Sequence, residues 1–405
     1  MFKIIALVLM GLAFLFNMLL YVRSFMARKR PIPEEVNDVY DEERFQKWKN
    51  YSADQMKAKL IMGIIYFAII FALIVTDVFA LASAAIGNIY LSTLVVLGIY
   101  VGVGLVTDII EDYILKIRID TKYGFNKSTG KTFFGDCIRK TLLYVILFAG
   151  LTSLFIVIYE AMGDYIMIVF SAILFAFILL IKILFPLLSK SANRFAPLEE
   201  GELRTKLMDM LTKNGFKVKD IKVMDASRRT TKSNAYFTGM GKNKTVVLFD
   251  NMLKVMSDDE IVAVFAHEIA HGIHKDSLRS SILSIVNIVL LVVLAWLLVR
   301  FPEFYADFGF NGVNYGFAVV LLFEVVTPLI FRILNMGNLA LSRRGEYKAD
   351  EFAAKEGYGE HLISGLKKLY KEDLGDINPD PMVIALSYSH PTLAQRIRNI
   401  KKNQK

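Results

Sequence analysis

Seven long apolar runs, separated by segments that are alternately basic and neutral or acidic, frame this chain. Ile4 to Val22 is nearly uncharged and, at about 1.5 Å per residue, long enough to cross a bilayer. Leu60 to Ala84 and Ile89 to Ile110 predict a second and a third span, joined by a short link at Gly87-Asn88. Thr141 to Ile158 and Tyr165 to Leu188 predict the fourth and fifth, joined by an acidic turn at Glu160 and Asp164. Ile282 to Val299 and Tyr315 to Leu334 predict the sixth and seventh. Only Lys3 precedes the first run, and no small-residue cleavage site separates it from Arg23, so it reads as a retained helix rather than a signal peptide. Pro31 and Pro33 end that helix. Glu42 to Met56, of mixed charge, predicts a surface helix leading into the second span. Lys182 interrupts the fifth run, where a charge must either snorkel or face an aqueous interior.

Composition sharpens this picture. With 55% hydrophobic residues and a mean hydropathy of +0.44, the 405-residue chain is too apolar for a soluble protein. A net charge of +9 could suggest nucleic acid. The basic residues, however, gather in the segments after odd-numbered spans, such as Arg28, Lys29 and Arg30, or Lys116, Arg118 and Lys122. The segments after even-numbered spans carry Glu160, Asp164, Glu303 and Asp307 instead. This is the positive-inside pattern; it implies a lipid bilayer, no nucleic-acid partner, an N-terminus outside, and a cytoplasmic insertion and tail. The single cysteine, Cys137, excludes a disulfide framework. The chain thus divides into residues 1–188 with five spans, a polar insertion 189–280, two spans in 281–334, and a polar part 335–405.

Within the insertion, Gly201 to Lys213 predicts a helix. Val218 to Met224, Asn234 to Gly239 and Thr245 to Phe249 predict short strands, with Gly239, Gly241 and Asn243 turning the last two into a hairpin. Asp258 or Ser257 can cap the helix that follows, Glu260 to His274. That helix carries His267-Glu268-Ile269-Ala270-His271. Positions i and i+4 share a helix face, so His267 and His271 can offer nitrogens to one metal ion. Glu268 points aside, where it can take a proton from a water that the metal activates. His274 also lies on this stripe, but seven residues rise about 10.5 Å, too far to share an ion with His267. It reads as a surface residue. A better third ligand lies just after the seventh span: Glu346 and Asp350 are four apart on one face. Glu346 can ligate zinc while Asp350 receives a hydrogen bond from a ligating imidazole. Taken alone, such an acidic pair is more often solvated or a cap.

With these residues in view, the chain resembles the integral-membrane zinc metalloproteases of the type I CAAX prenyl endopeptidase family. The resemblance rests on Tyr123-Gly124-Phe125-Asn126-Lys127, Ser233 to Phe237, Val246 to Asp250, Ala266 to His271, Glu346 to Asp350, and Tyr388-Ser389-His390-Pro391. It implies a mainly α-helical polytopic protein: a barrel of about seven membrane helices around an aqueous chamber, closed on the cytoplasmic side by a zincin-like α+β peptidase domain. It implies one Zn²⁺ per chain on His267, His271 and Glu346, with Glu268 as general base. Asn234 and the Ala235-Tyr236 backbone would form the strand that pairs with substrate, an extended peptide added to a sheet edge. His390 would stabilise the oxyanion and Arg396 would help hold substrate, which is a peptide or a lipidated protein C-terminus. Without the resemblance, His390 reads as a loop histidine and Arg396 as a solvated residue of the terminal helix. The chain ends Lys402-Asn403-Gln404-Lys405, without an endoplasmic-reticulum signal, which favours a bacterial-type inner membrane. Other readings are a quality-control protease of the heat-shock type, a chaperone with a structural zinc, and a transporter. A structural zinc would fill its fourth position with Cys or His, and Cys137 sits far from the motif in sequence.

Overall fold

The computed structural model describes residues 1–192, 194–216, 220–238 and 245–404. Its first half is α1 (Phe2–Ala27), α2 (Glu42–Val75), α3 (Val78–Ser83), α4 (Ile89–Asp112), α5 (Thr121–Tyr123), α6 (Gly130–Met162) and α7 (Ile166–Ala192). The insertion follows as β1 (Phe195–Pro197), α8 (Glu202–Lys213), β2 (Asp220–Met224), β3 (Ala235–Thr238), β4 (Thr245–Phe249), α9 (Asp250–Val255) and α10 (Asp258–Ile273). The chain closes with α11 (Asp276–Arg300), α12 (Glu303–Ala306), α13 (Tyr315–Leu321), α14 (Thr327–Ala353), α15 (Gly359–Asp373), α16 (Pro381–Ser387) and α17 (Leu393–Asn403).

Among the described residues, six helical stretches are long and apolar enough to cross a membrane. One of them covers 52 residues, Gly130 to Ile181, which as a single rod would measure about 78 Å. It reverses at Gly163, whose φ of 55° only glycine adopts freely. α6 and α7 are therefore separate crossings, and the barrel has seven. Polar space lies inside it. On the inner face of α14, Glu346, Ser342, Asn338, Asn335 and Arg332 recur at helical spacing, and opposite them on α11 stand Asp276, Ser280, Ser284 and Asn287. They line two adjoining cavities of about 460 and 350 Å³ that share Asn287 and Asn338. Beyond these, a π-helical turn at Leu322–Val326 carries Glu324, which accepts hydrogen bonds from Tyr66 (2.5 Å) and Tyr100 (2.8 Å).

Several expected boundaries shift, each for a local reason. The surface helix and the second span are one helix, α2, capped by Asp41, which accepts from the Arg44 N–H. That span stops at Val75 rather than Ala84, because Asp77 adopts φ 57°. Lys3 Nζ secures the break, donating to the Val75 carbonyl and to Asp77 Oδ1, both at 2.8 Å. Leu334 ends nothing: helical structure runs on from Tyr315 through the π turn to Ala353, carrying the seventh span directly to Glu346. Ser257, not Asp258, caps α10, in a reciprocal box with Glu260. Val218, the expected turn at Gly239, Gly241 and Asn243, and the Lys182 side chain lie outside the described residues.

The sheet has strand order β1-β2-β4-β3. β2 and β4 are parallel, and β3 pairs antiparallel with β4, Ala235 opposite Leu248 and Thr238 opposite Thr245. β3 is thus an edge strand. Buried Val246 and Leu248 join α8, α10, α15 and α17 in one apolar core, which also takes in Trp48 and Tyr51 of α2 and Ile119, Tyr123 and Phe125 that follow α4. The segments after the first, third and fifth spans and the C-terminal part therefore pack at one end of the barrel. At the other end, the Met1 amine pairs with Asp307, Lys3 with Asp77 and Arg300 with Asp164, tying the even-numbered connections together.

Candidate metal centre

α10 and α14 pack against each other and bring His267, His271 and Glu346 together across a sequence gap that contains two membrane spans. Two carboxylates orient the imidazoles. Asp350, fully buried, stands 3.0 Å from His267 Nδ1, and Asp276 stands 2.8 Å from His271 Nδ1. Both Nε2 atoms are left facing inward, 3.2 Å apart. Glu346 completes the triangle, Oε2 lying 3.3 Å from His267 Nε2 and Oε1 lying 3.4 Å from His271 Nε2. A tetrahedral ion with bonds near 2.05 Å separates its ligand atoms by about 3.3 Å. The spacing between the two imidazole nitrogens matches that edge, and each imidazole has a Glu346 oxygen at about the same distance. Glu346 Oε2 is moreover buried without accepting a hydrogen bond, a costly state unless a cation takes it. The donor set therefore fits a tetrahedral metal with one position open.

Arg396 is not a solvated residue of the terminal helix. It is buried, donates through Nε and Nη2 to Asp350 (3.0 and 2.6 Å), and lies 3.3 Å from His267 Nδ1 and 4.0 Å from Glu346 Oε2. Burial disfavours its charge, but Asp350 and Glu346 outweigh that and push its pKa up. Burial pushes Asp350 up, and Arg396 and His267 pull it further down, so it is held below its ordinary value. For His267, burial and Arg396 lower the pKa, while Asp350 and Glu346 raise it more.

His390 reaches the same place from the loop after α16. Its Nε2 is 3.3 Å from Glu346 Oε1 and its Nδ1 is 2.8 Å from Ser389 Oγ, with the side chain 60% exposed. Arg343, one turn before Glu346, pins this loop by donating to the Ile384 and Tyr388 carbonyls (3.1 and 2.7 Å). Glu268 is half-buried beside His267 and has no hydrogen-bond partner among the described residues. Asn234, exposed, leads into β3, and Ala235 and Tyr236 lie on that edge strand, which packs along α10. His274 is exposed at the end of α10, away from the cluster.

Asp276 and Arg343 escaped the sequence reading. The signal for Asp276 is faint: it opens α11 straight after Lys275, whose φ of 57° turns the chain back toward His271. Gly345 makes room for it, since a Cβ there would come 3.2 Å from Asp276 Oδ2.

Comparison with known proteins agrees with this architecture. Residues 197–404 match peptidase family M48, and residues 22–190 match the CAAX prenyl protease N-terminal region, described as five membrane helices. CAAX prenyl protease 1 homolog of Arabidopsis thaliana is 31% identical, over 97% of this chain and 96% of that protein. CAAX prenyl protease 1 of Saccharomyces cerevisiae is 30% identical, over 90% and 87%. The crystal structure of S. mikatae Ste24p superposes with a TM-score of 0.90 at 28% identity, covering 99% of each chain. Membrane barrel, metal triangle and full-length similarity agree: the chain belongs to the CAAX prenyl endopeptidase family, within peptidase family M48, and is a multi-pass membrane metalloprotease.

Proposed function

We propose that this enzyme is a zinc endopeptidase that cuts near the C-terminus of prenylated or otherwise lipidated substrates. The observation that carries the reading is the triangle of His267, His271 and Glu346, with tetrahedral spacing and an unsatisfied Glu346 oxygen. The similar proteins named CAAX prenyl proteases support the substrate class. Zinc, when bound, supplies the Lewis acidity that activates water and polarises the scissile carbonyl.

The protein's own groups do the rest. Glu268, unpartnered beside the ligands, accepts the attacking water's proton and passes it to the leaving amine. His390 donates a hydrogen bond to the developing oxyanion from the side of Glu346. Arg396 holds Asp350 ionised, and adds positive potential behind the reacting carbonyl. Asn234, Ala235 and Tyr236 lie on the edge strand β3, on which an extended substrate backbone aligns beside α10. The metal centre faces the cytoplasm; the basic segments gathered at its end of the barrel support that orientation.

Glu268→Gln tests the mechanism. It should keep a full complement of zinc while cleavage of a farnesylated C-terminal peptide falls by about 10²-fold or more. Near-normal cleavage would remove Glu268 from its role. A chelator should abolish cleavage by the unmodified enzyme.

A further inference from the structure

The cavity of about 460 Å³ that opens from the metal ligands into the barrel contains one cation without a counterion. Arg279, half-buried on the first turns of α11, has no side-chain partner among the described residues. Its nearest acid on that helix, Asp276, is committed to His271. The other acid lining this cavity, Glu346, faces the two histidines. Among the described residues the adjoining cavity is lined by no acid: its charged or polar lining is Asn17, Asn287, Thr327, Arg332, Asn335, Asn338 and Ser387, with Arg332 donating to Asn17. Arg279 is therefore a guanidinium on this cavity that no carboxylate among the described residues bonds, and its partial desolvation is a cost that an anion would recover.

We infer that Arg279 receives the free α-carboxylate of the fragment that leaves on cleavage, so the site measures distance from a chain terminus. The inference rests on the proposed C-terminal endopeptidase activity. Arg279 stands one turn, about 5 Å, beyond Asp276, whose carboxylate touches His271. The guanidinium is thus within roughly 10 Å of the point where the ligands converge, the length of about three extended residues. Ser280, Ser284, Asn338 and Ser342 line the interval and can bond a peptide backbone. Arg332 does not serve the same fragment: fourteen residues from Glu346, it lies about 21 Å away. A guanidinium pairs with a carboxylate through two parallel N–H donors, a geometry that an amide does not match.

The test compares two prenylated peptides, identical except for a free or an amidated C-terminus, with the full-length enzyme and with Arg279→Gln and Arg279→Lys. The unmodified enzyme should favour the free acid by tenfold or more in kcat/KM, mostly through KM. Arg279→Gln should bring that ratio near one at unchanged zinc content, and Arg279→Lys should retain part of it. A full preference in Arg279→Gln would overturn the assignment. Equal cleavage of acid and amide by the unmodified enzyme would overturn the inference and leave the protease reading standing. Cleavage of neither peptide would overturn both.

Discussion

Two carboxylates on one helical face, Glu346 in α14 and Glu324 in the π turn before it, are twenty-two residues or about 33 Å apart. Both are withdrawn from water, yet their surroundings differ. Glu324 is met by two phenols, Tyr66 from α2 and Tyr100 from α4. Its bonds are made inside the barrel, and they tie three spans together. Glu346 sits among two histidines and Arg396, with one oxygen accepting nothing. A carboxylate that two phenols bond through one oxygen holds a fold together, whereas one with a buried, unsatisfied oxygen is set up for a ligand.

The strongest way to break that contrast is Glu346→Ala. Metal content should fall to background and activity by at least about 10³-fold, while the helical signal persists; normal zinc by elemental analysis would refute the ligand assignment. Asp276→Ala should act more gently. It frees His271 to rotate, so zinc affinity should drop about 10- to 100-fold in a chelator competition. An unchanged affinity would make Asp276 a mere neighbour. At the other end of the helix, Tyr100→Phe should leave zinc and catalysis intact and cost about 1–3 kcal/mol of stability, read as a lower Tm in detergent. Loss of activity without loss of Tm would show that the two ends of the helix are not divided as described.

Asp376 supplies the smallest effect and a useful third case. It accepts the Asn378 N–H at 3.0 Å, and burial pushes its pKa up to about 6, opposed by that bond and by Arg28. An acid with a raised folded pKa favours the fold when protonated. Its contribution is therefore full below about pH 4 and is lost as pH rises through about 6. Asp376→Asn should flatten that part of the Tm-versus-pH curve by a few degrees; an unaltered slope would assign the pH dependence elsewhere.

The legible parts of this protein are those set by local rules. A bilayer demands about twenty apolar residues per helix, so the spans announce themselves. One turn separates i from i+4, so His267 pairs with His271 and Glu346 with Asp350 before any coordinates exist. Charge alternation likewise anticipated which segments share an end of the barrel. What escaped is non-local or lies at a helix break. Tyr66 and Tyr100 look like ordinary interfacial aromatics until α2 and α4 aim them at Glu324. Arg396 belongs to a helix rich in exposed cations, and only Asp350, from a different helix, explains why it is buried. Asp276 is hidden by the left-handed Lys275, where helical spacing no longer predicts direction. The break within the expected second span depends on Lys3, at the far end of the chain.

The route of the chain between His271 and Glu346 has a consequence for biosynthesis. Two crossings of the bilayer, α11 and α13–α14, intervene before Glu346, the proposed third ligand, arrives. If the insertion machinery skipped or inverted one of them, Glu346 would emerge on the opposite membrane face from the histidines. Such a molecule would be proteolytically silent. A newly made protease is dangerous to its host when it is active in the wrong orientation, and here faulty topology disarms it with no separate inhibitor or prosegment required.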